Sequence, residues 1–345
     1  MDREQRRLWL AAGGAVLAGA AVARALRYSF AGRVVLITGG SRGLGLVLAR
    51  RFASEGARVA ICARDAEGLS RAAADLRRRG AEAMAVECDV RRGSEVEWLV
   101  RSVIDRWGRL DVLVNNAGII RMGPYEEMTL DDYREMIDEY LFAAVRTVQA
   151  VVPRMRRQGS GRVVNISSIG GLIGVPHLLP YCAAKFAVTG FSRGLRAELG
   201  RYGIRVTTVC PGLMRTGSPV RAQFKGRHRA QQTWFTLAGS LPGASVSAER
   251  AASEIVEACR AGQARLVISI PAKAAALTEA LAPGVLSAAF GAVDRVLPRP
   301  GGIGTRWAEG LDSKSALSPS VLTALTARAA ERNLELPPGR RWEYV

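Results

Sequence analysis

A glycine-rich turn directly after a short apolar run is the feature that most constrains this fold. The run Val34 to Thr38 is followed by glycines at positions 39, 43 and 45, and a helical pattern begins near Leu44. Glycines in such a turn let the backbone approach a pyrophosphate and aim a helix N-terminus at it. A purely structural turn is the alternative, but the position after an apolar strand favours a dinucleotide site.

The same alternation of short β-branched runs and longer helical patterns continues from Arg33 to Ile270. It predicts parallel strands joined by right-handed crossovers. We therefore expect one doubly wound α/β domain with a seven-stranded parallel sheet. The predicted strands are 34–38, 58–62, 83–88, 110–115, 162–167, 205–210 and 266–270. The predicted helices begin near 44, span 66–79 and 94–106, run from a Thr129–Asp132 capping box toward Met155, begin near 183 and span 247–261.

Tyr181 and Lys185 lie four residues apart, and Tyr181 follows Ser168 by thirteen residues. On a helix this spacing places the phenol and the ammonium on one face. The cation is then expected to stabilise a phenolate and lower the pKa of Tyr181 below its usual value of about 10. Such a tyrosine exchanges protons with an alcohol or carbonyl near neutral pH. Alone, the pair would indicate only an exposed helix surface, so the interpretation depends on the motifs around it.

Those motifs resemble the short-chain dehydrogenase/reductase family. They are the turn 38–45, Asn115-Asn116-Ala117-Gly118, Asn165-Ile166-Ser167-Ser168, the Tyr181/Lys185 pair and the segment 211–216, in the family's order between about residues 32 and 270. The resemblance implies a Rossmann-type domain that transfers hydride with a nicotinamide cofactor. It also implies that Ser168 bonds the substrate oxygen, Tyr181 moves its proton, and Lys185 tunes the tyrosine and holds the nicotinamide ribose. Ser167 is the alternative to Ser168.

The resemblance further assigns the cofactor contacts. Asp89, Val90 and Asn116 would hold the adenine half, and the segment 211–216 would cover the nicotinamide, with Thr216 near its carboxamide. A structural role for the Asn115–Gly118 motif is at least as strong an expectation. The expected cofactor residues are Thr38, Gly39, Ser41, Arg42, Gly43, Leu44, Gly45, Arg64, Asp89, Val90, Asn116, Ala117, Gly118, Tyr181, Lys185, Pro211, Gly212 and Thr216.

The end of the second strand bears on the choice between NADP(H) and NAD(H). An acid there would bind the ribose 2′-hydroxyl of NAD, but Ala63 takes that place and Arg64 follows. With Arg42 in the glycine turn, two guanidiniums favour the 2′-phosphate of NADP(H). Asp65 nearby keeps NAD(H) as the alternative.

The chain departs from the family at Tyr140, which aligns with an asparagine that usually organises a proton path to the lysine. The departure leaves the relay open, and with it a second hypothesis: a non-catalytic nicotinamide-binding regulatory or scaffold protein of the same fold.

Composition limits the partners. The net charge of +18 points to acidic partners, but the arginines are dispersed and no nucleic-acid motif accompanies them, so we expect no nucleic acid. Five cysteines without a Cys-x-x-Cys pair indicate a reduced compartment. Two isolated histidines, His177 and His228, predict no metal site and no histidine-based triad.

Three regions are expected: 1–31, an apolar segment; 32–271, the dehydrogenase/reductase domain; and 272–345, a C-terminal extension.

The uncharged run Leu8 to Ala23 spans roughly 24 Å as a helix. This is short of a bilayer core of about 30 Å, but the side chains of Arg7 and Arg24 could snorkel to the membrane surface. We favour a membrane anchor with the catalytic domain in the cytoplasm. A cleaved signal peptide, a surface helix and a soluble cytoplasmic protein are the alternatives.

In the extension, an apolar stripe interrupted by Pro283 and Gly284 predicts a helix that packs on the core or rests on a membrane. Residues 298–320 should be loop or disordered, and a short helix should follow at 321–333. The apolar residues of the insert 213–245 and of the run 172–179, which borders the catalytic segment, predict a lipophilic substrate such as a ketone, 3-oxoacyl or steroid-like compound. Capping of the domain's own core by these residues is the alternative. The family resemblance implies a homo-oligomer. The candidate substrate residues are Leu172, Ile173, Val175, Leu178, Leu179, Leu213, Met214, Phe224, Trp234, Phe235, Leu237 and Leu241.

Overall fold

The computed structural model describes residues 28–241, 243–340 and 342. The apolar run 8–23 lies outside these residues, so the anchor stays a prediction. Across the described ranges, no helix combines the length and the apolar character that crossing a bilayer requires.

Seven parallel strands form the central sheet. Its spatial order is β3-β2-β1-β4-β5-β6-β7, which is the doubly wound order with a reversal between β1 and β4. The predicted fold class is therefore confirmed. The strands are β1 Val34–Thr38, β2 Arg58–Ala63, β3 Ala83–Glu87, β4 Val112–Asn115, β5 Gly161–Ile166, β6 Ile204–Pro211 and β7 Arg265–Ile268.

Helices cover both faces of this sheet. One face packs α1, α2 and α8 against the strands, and the other packs α3, α5 and part of α6. Because both faces are covered, β1 is buried along its whole length and reads as a continuous apolar run. The helices are α1 Gly43–Ser54, α2 Ala66–Arg78, α3 Gly93–Trp107, α4 Leu130–Ile137, α5 Ala143–Gln158, α6 Leu179–Leu199, α7 His228–Ser240, α8 Ala248–Ala261, α9 Ile270–Leu281, α10 Pro283–Asp294 and α11 Ala324–Arg332.

Two predicted helices differ in detail from the structure. The capping box at Thr129 and Asp132 starts α4 as expected, but a π-helical segment, Asp138–Phe142, separates α4 from α5. Helix α6 begins at Leu179, four residues before the predicted start. Pro180 stands in its first turn, where a proline fits because that backbone N–H has no partner within the helix.

The C-terminal extension folds back over the domain. The apolar stripe forms two helices that break at Ala282, and they bury almost nothing: Ala272 in α9 and no residue of α10. The default expectation that this stripe packs on the core is therefore wrong. The segment 298–320 consists of ordered turns with a short strand, Ala308–Glu309, paired to Gln223–Phe224, and α11 falls within the predicted helix 321–333. Further short strands are Arg121–Met122, Leu213–Arg215 and Ser245–Ser247.

Candidate active site

The glycine turn connects β1 to α1 and has a fixed shape. Gly39 and Gly43 have φ of +65° and +56°, values that favour glycine. The amide of Asn116 donates to the carbonyls of Thr38 (3.0 Å) and Gly39 (3.2 Å). The hydroxyl of Thr38 in turn accepts from the backbone N–H groups of Asn116 and Ala117, both at 3.0 Å. Asn116 therefore holds the turn, which is the structural role expected for its motif.

A second asparagine of that motif joins the central strands. Asn115 donates to Asn165 on β5 at 2.9 Å and accepts from Thr147 on α5 at 2.7 Å. Asn165 then donates to Ser192 on α6 at 3.0 Å. These buried polar groups are satisfied by one another, so they fix β4, β5 and two helices in one arrangement.

A cavity of about 1080 Å³ opens at the carboxyl ends of the strands. Two predicted residues, Thr38 and Gly45, lie behind its wall rather than on it. The predicted residues on the wall are Gly39, Ser41, Arg42, Gly43, Leu44, Arg64, Asp89, Val90, Asn116, Ala117, Gly118, Ser168, Tyr181, Lys185, Pro211, Gly212 and Thr216.

One end of the cavity carries the two predicted cations, and each contacts an acid. Arg42 lies 3.1 Å from Asp65, and the half-exposed Arg64 lies 3.7 Å from Glu139. Asp89 is bonded by Arg91, at 2.6 Å between the closest atoms, and this hydrogen bond holds the pKa of Asp89 below its usual value. Asp89 therefore lines the cavity with its carboxylate already paired.

Ser168, Tyr181 and Lys185 lie together at the other end. Ser168 follows β5 and accepts from the backbone N–H of Gly170 at 3.0 Å. Burial raises the pKa of the Tyr181 phenol, and a hydrogen bond between its hydroxyl and that of Ser168 opposes the rise. The structure thus brings the serine and the tyrosine of the predicted triad into contact.

The ammonium of Lys185 is buried and hydrogen-bonded to the backbone. It is 3% exposed and donates to the carbonyl of Ile166 at 2.8 Å. It stands 3.8 Å from the ring centroid of Tyr140 and 5.5 Å from that of Tyr181. Burial lowers the pKa of Lys185 to about 7. The expectation that Lys185 pulls the pKa of Tyr181 below 10 is therefore wrong for this geometry, because desolvation dominates both groups.

Tyr140 occupies the π-helical segment and faces the lysine. Its ring meets that of Tyr181 edge-to-face at 5.6 Å, and its hydroxyl donates to the carbonyl of Ile119 at 2.7 Å. The position that aligns with the family's asparagine thus lies beside the lysine. Its hydroxyl points to Ile119, so the ring face, rather than a hydrogen-bonding group, meets the ammonium.

The catalytic end opens into an apolar region. Seven predicted substrate residues line it: Ile173, Val175, Leu178, Leu213, Met214, Trp234 and Phe235. Five others do not: Leu172, Leu179, Phe224, Leu237 and Leu241. The sequence interpretation missed the contribution of the C-terminal helices α9 and α10 and of the turn after them, which add Pro271, Ala275, Phe290, Val293 and Leu297. The four-residue spacing of the stripe was the available signal, but it did not show which surface the stripe would face.

The phosphate end also receives residues that no motif indicated. The backbone N–H of Gly43 donates to the carbonyl of Asn333 at 2.9 Å, and the buried Glu335 lies 3.6 Å from Arg42. Arg221 lines the same part of the cavity. These contacts join the glycine turn to the C-terminal extension, and the irregular segment around Asn333 has no periodic pattern that would reveal them.

The residues present fit a nicotinamide dinucleotide. A fixed glycine turn opens a helix, as a pyrophosphate requires, guanidiniums stand at one end of the cavity, and proton-transfer groups stand at the other. The sequence profile of the family described as short chain dehydrogenase matches residues 33–224.

The chain belongs to the short-chain dehydrogenase/reductase family.

Relatives and solved structures agree with this membership. A protein of Streptomyces coelicolor named putative ketoacyl reductase is 44% identical over 185 residues, which are 53% of this chain and 71% of that protein. The crystal structure of a variant actinorhodin polyketide ketoreductase with NADPH has a TM-score of 0.62 and 34% identity, covering 69% of this chain and 96% of its own. L-Sorbose reductase from Gluconobacter frateurii, complexed with NADPH and L-sorbose, has a TM-score of 0.64 and 27% identity, covering 71% and 97%. As a short-chain dehydrogenase/reductase, this protein is an NAD(P)-dependent oxidoreductase acting on a carbonyl or hydroxyl group.

Proposed function

We propose that the protein is an NADP(H)-dependent reductase of a ketone or 3-oxoacyl-like group on a lipophilic substrate. The observation that carries the proposal is the meeting of Ser168, Tyr181 and Lys185 where the cavity turns apolar. The names of the relatives support it, since one is called a ketoacyl reductase and two solved reductases are complexes with NADPH.

The proposed chemistry divides between the cofactor and three side chains. When bound, the nicotinamide supplies the hydride. Ser168 donates a hydrogen bond to the substrate oxygen, and Tyr181 transfers its phenolic proton to that oxygen as negative charge develops there. The positive charge of Lys185, 5.5 Å from the ring centroid of Tyr181, favours the phenolate that Tyr181 becomes and opposes the desolvation that raises the pKa of the phenol. The apolar walls exclude water from this transfer and orient an apolar substrate chain.

The test is turnover with a panel of carbonyl compounds and NADPH, using purified protein. We expect NADPH consumption with at least one apolar ketone or 3-oxoacyl compound, and we expect Tyr181→Phe to abolish it. Tight NADPH binding without turnover on any carbonyl or alcohol would instead support the non-catalytic regulatory or scaffold role.

The preference for NADP(H) over NAD(H) rests on Arg42 and Arg64 at the adenine end, and it favours the reductive direction. Arg64→Ala should weaken the binding of NADPH about tenfold and leave the binding of NADH nearly unchanged, because only NADPH has the 2′-phosphate. Arg77→Ala, an exposed arginine on α2, is the matched control. An unchanged ratio of the two dissociation constants would contradict the role of Arg64.

We also propose that the N-terminal segment anchors the protein to a membrane, with the catalytic domain in the cytoplasm. The apolar run 8–23 and the exposed apolar residues Ile270, Leu277, Leu281 and Val285 support this. Fractionation of the full chain against a chain that begins at Ala31 tests it, and equal solubility of the two would refute the anchor. The homo-oligomer that the family resemblance implies is tested by light scattering of the shorter chain.

A further inference from the structure

A segment of the C-terminal extension crosses the glycine turn of residues 38–45. Helix α11 ends at Arg332, and residues 333–336, here called the strap, lie across the start of α1. The backbone N–H of Gly43 donates to the carbonyl of Asn333 at 2.9 Å. Gly43 is one of the turn glycines that are expected to let backbone approach a pyrophosphate. The strap therefore already uses a polar group of the phosphate site.

Three arginines of the sheet domain hold the strap and the helix end before it. Arg50 donates to the carbonyl of Arg332 through two nitrogens at 3.1 Å. Arg221 donates to the carbonyl of Glu335 at 2.9 Å, and Arg71 to that of Leu336 at 3.1 Å. The side chain of Leu336 is buried beside Val220, Leu311 and Trp342. The strap is therefore a built part of the fold rather than a loose end.

The carboxylate of Glu335 lies against the glycine turn. It is 5% exposed, and a Cβ placed on Gly43 would collide with its Oε1. Its Oε2 lies 3.6 Å from Nε of Arg42, one of the two proposed phosphate-binding cations. The glycine thus leaves open a space that an anionic oxygen fills, and that oxygen belongs to the chain itself.

A carboxylate and a phosphate have the same sign and the same preferred partners, namely backbone N–H groups and guanidiniums. Both cannot occupy the space above Gly43. We propose that the strap is an internal competitor for the cofactor phosphates, and that dinucleotide binding displaces Glu335 from Gly43 and Arg42. This inference rests on the proposed dinucleotide site and adds a control on its affinity.

Burial raises the pKa of Glu335 to about 7, and Arg42 and Arg221 oppose that rise. Desolvation therefore makes the charged form of Glu335 unfavourable in this position. A contact of this kind agrees with displacement of the carboxylate by an anion that the site binds better.

The test is equilibrium binding of NADPH and NADH to the full-length protein, measured by nucleotide fluorescence and by calorimetry. Glu335→Gln keeps the shape of the side chain and removes its charge, so we expect NADPH to bind about tenfold tighter, equivalent to about 1.4 kcal/mol. Glu331→Gln, an exposed glutamate at the end of α11, removes the same charge and should leave both dissociation constants unchanged.

A second measurement needs no variant. The N–H of Glu335 bonds the carbonyl of Ala330 at 2.9 Å, so displacement of the strap should speed hydrogen exchange of the peptide that contains residues 333–336 when NADPH is added. Unchanged or weaker NADPH binding by Glu335→Gln, or unchanged exchange in the wild-type strap, overturns the proposal while leaving the reductase function standing. Failure of every variant and of the wild type to bind either dinucleotide overturns both.

Discussion

The contact between Lys185 and the face of Tyr140 should set the alkaline limit of activity. Replacing Tyr140 by leucine keeps an apolar side chain and removes the aromatic face that stands 3.8 Å from the ammonium. A desolvated cation–π contact is worth about 2 kcal/mol, and Lys185 is 3% exposed. Since one pKa unit corresponds to about 1.4 kcal/mol, loss of the contact should shift the titration of Lys185 downward by about 1.5 pH units.

The direction follows from which form the contact stabilises. The ring favours the charged ammonium, so its removal lowers the pKa of Lys185 further below the value of about 7 that burial produces. The proposed chemistry needs the charged form, and activity should therefore be lost as the pH rises through that pKa. We expect the alkaline limb of kcat/KM with NADPH to lie about 1.5 pH units lower in Tyr140→Leu than in the wild type.

Tyr140→Phe is the matched control. It keeps the aromatic face and removes only the hydroxyl that donates to Ile119, a loss of about 1 kcal/mol in stability. Its alkaline limb should stay close to that of the wild type. If the leucine and phenylalanine variants show the same limb, the ring face does not control Lys185 and the reasoning fails.

Three further predictions follow from single contacts. Tyr181→Phe should lower the rate of the chemical step, measured in single-turnover experiments, about 10²–10⁴-fold while the affinity for NADPH is retained. A smaller loss of rate would assign the proton transfer to another group. Lys185→Met should raise the free energy of unfolding, most at pH 6 and not at all near pH 10.5. The pKa of Lys185 is about 7 in the folded protein and higher in the unfolded chain, so burying the charged ammonium costs most at low pH. Urea midpoints across pH measure this gain, and a gain independent of pH would contradict it. Gly45→Ala should cost about 3 kcal/mol of unfolding free energy, since its methyl would collide with the backbone carbonyl of Gly39 and meet the amide of Asn116 at 2.6 Å. Gly190→Ala on α6, where a methyl meets nothing within 4 Å, is the control and should not destabilise.

Local patterns predicted the order of strands and helices well because each depends on neighbours in the sequence. The alternation of apolar runs and helical periods placed β1 at its observed residues and the capping box at Thr129. The π-helical segment was not predicted, because a single turn of i→i+5 hydrogen bonds has no distinctive residue pattern within a longer helical run. The early start of α6 was missed because Pro180 was not recognised as a first-turn residue.

The amino-acid sequence by itself determined the doubly wound sheet, the glycine turn and the placing of Tyr181 and Lys185 on one helix, since periodicity and turn chemistry act over a few residues. Only the tertiary structure decided where the lysine ammonium points and which residues reach the turn from the C-terminus. Those outcomes depend on burial, which shifts pKa values according to what surrounds a group. They also depend on contacts such as Gly43 with Asn333, whose partners are brought together by packing and have no common sequence pattern.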